Sequence, residues 1–193
     1  MKIQAPVLMK SEFKGFSLIE LMVTLSIAVI LLGLAVPSFR TLIQNQQMTT
    51  TVNDFFAAVN LTRSEAIQRG RRVDLVPADA DGSDWTKGWI VFIDDNNNRR
   101  PDTGETIIFS HDAVQSEMTV ASAFTDGVAP FYIAYSATGR TRTNTNSQQP
   151  QLGTLSFTLD ANVRRIKINF LGRPRVCDPA KEPATCTSTA DSK

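Results

Sequence analysis

The chain has 193 residues and a formal net charge of +1, enough length for one compact domain plus a membrane-length helix, and a total charge that marks out no partner. One histidine and two cysteines leave little material for a metal centre. No Gly-rich phosphate loop followed by Lys and Ser or Thr is present, which excludes a protein that acts as its own ATP-driven motor. The charge is nonetheless segregated. From Asp79 to Asp112 there are eight acids and three bases, whereas from Val163 to Val176 there are five bases (Arg164, Arg165, Lys167, Arg173, Arg175) and no acid.

Residues 1–15 read as a short basic leader and are set aside from fold reasoning. Its Lys2, Lys10 and Lys14 against Glu12 carry +2, which leaves the remainder near −1. Residues 16–39 follow as an apolar run whose one charge is Glu20. About 20 apolar residues span a bilayer as a helix, and Lys10 and Lys14 upstream favour a cytoplasmic start. A carboxylate near the start of such a span is costly, so it calls for a partner. An ordinary signal peptide is the alternative, but it would carry a small-residue cleavage site after the apolar region and no acid at its beginning.

The stretch Gly15-Phe16-Ser17-Leu18-Ile19-Glu20-Leu21 resembles the processing site of a type IV prepilin. The resemblance implies that a prepilin peptidase cuts after Gly15 and methylates the amine of Phe16. It also implies that Glu20 meets the N-terminal amine of a neighbouring pilin, and that the chain is held in the bacterial inner membrane, with its head in the periplasm, before it joins a pilus at the cell surface.

Pro37 removes a backbone donor and predicts a kink. Residues 40–70 continue as an amphipathic helix, with Val52, Phe55, Phe56, Val59, Ala66 and Ile67 at helical spacing and Gly70 as its stop. Beyond Gly70 the pattern changes to short strands: Arg72–Val76, Gly88–Ile93, Thr106–Ser110, Met118–Ala123, Phe131–Tyr135, Thr154–Leu159 and Val163–Phe170. Short strands with short connections predict an antiparallel sheet with the amphipathic helix on one face. The Thr141–Gln151 stretch reads as an exposed loop. The fold class is therefore α+β: a long kinked N-terminal helix, transmembrane and then amphipathic, packed on an antiparallel head at 71–176, with a tail at 177–193.

Trp85, Gly88-Trp89-Ile90-Val91-Phe92-Ile93-Asp94, Gly104-Glu105, Tyr135-Ser136-Ala137-Thr138-Gly139-Arg140 and Gly172-Arg173-Pro174-Arg175-Val176 occur in the order of the GspH/FimT branch of pilin-like proteins, which the chain resembles over most of its length after the leader.

Gly172-Arg173-Pro174-Arg175 is the sharpest functional motif. Glycine permits an abrupt turn, proline stiffens it, and guanidinium groups match phosphate oxygens. It resembles the C-terminal GRxR of FimT-type minor pilins, which implies that Arg173 and Arg175 bind double-stranded DNA during uptake in natural transformation. Lys167, Arg165 and Arg164 would support them, although alternation sends Arg164 to the opposite face. A second copy of the pattern, Gly139-Arg140-Thr141-Arg142, would widen the cationic strip or merely keep a loop soluble. Only Phe170 lies near as an aromatic, which favours backbone-dominated binding. The other readings are a minor pilin that primes pilus assembly without DNA, and a GspH-type pseudopilin of type II secretion.

The remaining motifs point to structure. Cys177 and Cys186 read as a disulfide in an oxidising compartment, because a metal pair would lack further ligands nearby. Asp94, Asn96, Asn98, Asp102 and Glu105 sit at calcium-loop spacing, but Arg99 occupies the position that wants glycine, and a hairpin turn is the competing reading. His111 beside Asp112 has no nucleophile motif around it, so no catalytic residue and no cofactor is expected.

Overall fold

The structure is a computed structural model that describes residues 15–146 and 148–189, with the side chains of residues 34–38 also outside the description. The leader reading therefore falls on residues outside the described set, apart from Gly15. Helix α1 spans Leu18–Arg69. It contributes to two compact units, divided between Leu42 and Ile43.

In the first unit Ser17 caps the helix, its Oγ accepting from the Glu20 backbone N–H at 3.2 Å. A side-chain oxygen there satisfies a donor that the first turn leaves without an intrahelical partner. The apolar residues that follow, from Leu18 to Leu32, are exposed on every face. Among the described residues no helix is long and apolar enough to cross a membrane. The undescribed side chains at 34–38 fall inside the stretch read as the span.

The second unit is a head whose core begins on the C-terminal part of α1. Met48, Val52, Phe55, Ala58, Val59, Thr62 and Ala66 are buried at helical spacing. Ile67, expected on this stripe, is exposed instead. Gly70 ends the helix in the left-handed region at φ 64, with Gly70 N–H donating to Ile67 O and Arg71 N–H to Ala66 O. That pair of bonds closes the last carbonyls, a role glycine fills without a Cβ penalty.

Eight strands follow: β1 Val73–Pro77, β2 Trp89–Phe92, β3 Ile107–His111, β4 Thr119–Phe124, β5 Ile133–Tyr135, β6 Gly153–Leu159, β7 Asn162–Ile168 and β8 Pro174–Cys177. They form two antiparallel four-stranded sheets, ordered β3-β2-β1-β5 and β4-β6-β7-β8. Seven strands lie where the sequence predicted them. The eighth falls outside the expected strands, because Pro174 and Arg175 carry no strand signal.

The helix stripe, the inner face of the first sheet (Val73, Leu75, Trp89, Val91, Ile133) and that of the second (Leu155, Phe157, Ile166, Ile168) make one core. At its centre the Phe55 ring meets Trp85, Trp89 and Phe157 edge-on, at 5.2, 4.9 and 5.4 Å. The opposite face of the first sheet buries Val76, Phe92, Tyr132 and Ala134.

The Thr141–Gln151 segment is only in part the exposed loop expected: Thr145, Asn146, Gln148 and Gln149 are exposed. Thr141, Thr143 and Gln151 are buried. Gln151 brackets β5, its Nε2 donating to Tyr132 O and its Oε1 accepting from Ala134 N–H. Polar side chains here carry the backbone pairing that a further strand would supply.

Cys177 and Cys186 form a disulfide. Intact mass should therefore rise by the two hydrogens of one bridge on reduction, with a loss of about 2–3 kcal/mol in unfolding free energy for so short a loop. Phe55→Ala removes the ring shared by the helix and both sheets. We expect about 3–5 kcal/mol of destabilisation, read as a lower urea midpoint of the full chain in micelles.

Candidate nucleic-acid interface

The Gly172-Arg173-Pro174-Arg175 motif runs from the tip of the β7–β8 hairpin into the first residues of β8. Asn169 organises it: its Oδ1 accepts from Leu171 and Arg173 N–H at 3.1 and 3.0 Å, while its backbone exchanges bonds with Gly172 and Arg173. Gly172 takes φ 74 there. The exposed Arg173 guanidinium has no side-chain partner among the described residues.

The second motif forms a comparable turn. Gly139 N–H donates to Ser136 O at 2.8 Å, and Ser136 N–H and Oγ both donate to Arg140 O at 3.0 Å. The two turns touch glycine to glycine. A Cβ on Gly172 would lie 2.9 Å from Gly139 O and 3.0 Å from Thr141 N, while Tyr135 Oη donates to Gly172 O at 2.8 Å. Arg140 follows one of the touching glycines and Arg173 the other, and Arg140 is likewise exposed without a side-chain partner among the described residues.

Arg63 lies under the Gly139 turn. A Cβ on Gly139 would sit 2.7 Å from Ile67 Cδ1 and 3.2 Å from Arg63 Nε, so the end of α1 underlies this turn. Burial raises the Tyr135 phenol above its usual range, and the nearby positive charge of Arg63 opposes that shift. Sequence reasoning missed Arg63. Its place on the helix surface was readable, but the arrival of the Gly139 turn above it was not.

The strand cations are otherwise engaged. β7 pairs with β8 so that Lys167 faces Arg175 and Arg165 faces Cys177, which puts three positive charges on one outer face. Like charges side by side on a sheet repel. The disulfide-bridged tail supplies the compensating oxygens: Arg165 Nη1 donates to Cys186 O, Lys167 Nζ to Thr187 Oγ1, and Arg175 to Glu182 Oε2 and Thr185 O. Arg164, on the other face, pairs with Asp178 at 2.9 Å. Lys167 is only 1% exposed, which corrects its expected role as a phosphate contact. Arg142 is half-buried, with Nη1 donating to Thr141 O at 3.0 Å.

Asp94–Glu105 closes on itself. Asp94 accepts from Asn98 and Arg99 N–H, Glu105 from Asp95 and Asp102 N–H, and Asp102 from the Asn96 and Asn98 amides. These are the bonds of an Asx-rich turn. Among the described residues no group of three or more His, Cys, Asp or Glu is placed to hold a metal. His111 stacks on Trp89 at 3.9 Å, with Nε2 3.7 Å from Asp54.

Beneath this turn, Arg72 holds Asp74 through two 2.7 Å bonds, with Asp94 3.8 Å from the same guanidinium. Asp74 is wholly buried, and that desolvation pushes its carboxyl up to about 7 against the pull of Arg72. The folded state therefore holds the Asp74 proton more tightly than the unfolded chain, whose ordinary value is 3.8. The stability it contributes is complete below the unfolded value and is lost as pH rises through the folded one. Wild type should lose stability relative to Asp74→Asn as pH rises across that window. A pH-independent difference in urea midpoint contradicts this assignment.

Residues 51–172 match the family model described as Type II transport protein GspH, and residues 10–36 match the prokaryotic N-terminal methylation motif. The chain belongs to the GspH family of pilin-like proteins. No curated protein matches its sequence. Among solved structures it is similar to the type IV minor pilin FimU of Pseudomonas aeruginosa, with TM-score 0.52 and 17% identity over 74% of this chain and 97% of that one. A second crystal form of FimU gives TM-score 0.51 and 17% identity over 72% and 99%. The minor pseudopilin EpsH from the type 2 secretion system of Vibrio cholerae gives TM-score 0.48 and 13% identity over 69% and 98%.

At this identity the FimU likeness concerns the fold: an N-terminal helix packed on antiparallel sheets. The family assignment makes the chain a minor pilin or pseudopilin, a structural subunit of a pilus or of a type II secretion filament. Proteins with this N-terminal motif are processed by prepilin peptidase, anchored in the inner membrane and assembled with other pilins.

Proposed function

We propose that this protein is a minor type IV pilin of the FimT kind that captures extracellular double-stranded DNA for uptake in natural transformation. The observation that carries the reading is the contact between the two Gly-Arg-x-Arg turns above Arg63, with no acidic side-chain partner for Arg63, Arg140 or Arg173 among the described residues. Guanidinium groups on stiff turns bind phosphate oxygens with little reorganisation, and such binding is indifferent to sequence. Arg175, implied by the GRxR resemblance, is engaged with Glu182, and Arg164 and Arg165 with the tail, so these three contribute less than Arg140 and Arg173, and the buried Lys167 does not contribute. Cleavage after Gly15, methylation of Phe16 and pairing of Glu20 with a neighbour's amine would deliver the head into a filament, and separate ATPases would retract it.

The test is a DNA titration of the full chain in micelles at several salt concentrations. Arg140→Ala/Arg173→Ala should weaken binding to unrelated duplexes alike and reduce the log–log salt slope by about 2. Unchanged affinity in that folded double variant rejects the interface.

The GspH match favours one other reading, a minor pseudopilin of type II secretion. A deletion strain that secretes normally but no longer takes up DNA excludes it.

A further inference from the structure

Phe170, between β7 and β8, is 42% exposed. The alternation that buries Ile166 and Ile168 would carry Phe170 into the core as well, had the strand run on. Strand β7 ends at Ile168 instead, and the turn from Asn169 to Gly172 leaves the ring in water.

The mount of that ring is stiff. Gly172 N–H donates to Asn169 O at 2.8 Å and closes the turn, while Leu171 and Arg173 N–H both donate to Asn169 Oδ1. Asn169 N–H donates to Arg173 O at 3.2 Å, so these two residues form the neck of one small loop. Tyr135 Oη ties the loop to the head through Gly172 O. A ring held this way has little freedom to lose on contact, and it gains the burial that water denies it.

Among the described residues of the head, Phe109 and Phe170 are the exposed aromatic side chains, and their surroundings differ. Phe109 lines a groove with Asp54 and His111, where a phosphate would meet a carboxylate. Phe170 shares its loop with Arg173, whose guanidinium has no side-chain partner among the described residues, and that loop touches the turn carrying Arg140. A cation for the backbone and a ring for the face of a base are the two elements that hold single-stranded nucleic acid. A base inside a duplex is stacked on both faces, so duplex contacts stay with the arginines.

We propose that Phe170 is a base-stacking residue, whose ring takes one unpaired base of a strand held through its phosphates by Arg173 and Arg140. The proposal rests on the DNA-binding reading and refines its substrate: it adds a base-dependent grip on single strands and unpaired ends to the sequence-indifferent hold on duplex.

The experiment measures fluorescence anisotropy of the full chain in micelles with three labelled probes of equal length: a single-stranded oligonucleotide, the same backbone made entirely abasic, and a blunt duplex. Wild type should bind the base-bearing strand about tenfold more tightly than the abasic one, as expected for one stacked base. Phe170→Ala should erase that gain while changing abasic and duplex affinity by less than about twofold, with every salt slope kept, because the ring carries no charge. Phe170→Trp should retain the gain. Its exposed indole should be quenched by the base-bearing strand and not by the abasic one, while Trp85 and Trp89 are buried and respond to neither. Equal binding of base-bearing and abasic strands by wild type overturns the stacking role and leaves duplex capture standing. Equal losses on all three probes in Phe170→Ala overturn it too, since the ring then only shapes the loop for Arg173. Unchanged DNA binding in Phe170→Ala with lost incorporation into pili assigns the ring to a neighbouring subunit instead. Failure of all three probes to bind wild type, or binding insensitive to Arg140→Ala/Arg173→Ala, overturns the DNA reading itself.

Discussion

The head is held by a single aromatic side chain that three elements share. Phe55 projects from α1 against Trp85, Trp89 and Phe157, within 5.5 Å of each ring by centroid. Neither four-stranded sheet can bury its inner face alone, because a sheet with one apolar face needs a second layer. The helix stripe supplies that layer to both sheets at once. Everything downstream depends on this: the sheets fix where β5 ends, where the β7–β8 hairpin turns, and so where two short glycine turns meet above Arg63 and Ile67.

Electrostatics divides the basic residues into two populations with different work. On the outer face of β7 and β8, Arg165, Lys167 and Arg175 are neighbours whose charges must be compensated, and the segment after Cys177 bends back to do so with carbonyls and Glu182. Arg63, Arg140 and Arg173 have no such acidic cover among the described residues. Proximity in sequence therefore misleads. The five bases between Val163 and Val176 look like one patch, yet only Arg173 remains with its fellow from a distant turn.

The periodic features were legible because they are local. The apolar stripe from Val52 to Ala66 and seven alternating runs report their own burial, whichever strands they later pair with. β8 was hidden because proline and arginine resemble a turn, and its strand character comes from pairing with β7. The burial of Thr141, Thr143 and Gln151 was hidden for a similar reason: polar residues entered the interior to bond backbone groups of β5, which composition cannot reveal. Of the candidate site, Arg173 and Arg140 were found by motif. Arg63, and the burial of Lys167, emerge only from contacts between segments far apart in the chain.

The covalent link at the end of β8 has a consequence for how this protein must be prepared. The bridge between Cys177 and Cys186 anchors the stretch that neutralises the outer face of β7. Material folded in a reducing cytosol lacks that anchor, since thiols stay unpaired there. Its loosened tail withdraws the oxygens that compensate the charges of Arg165, Lys167 and Arg175, so protein matured in an oxidising compartment is the form in which this face is neutralised.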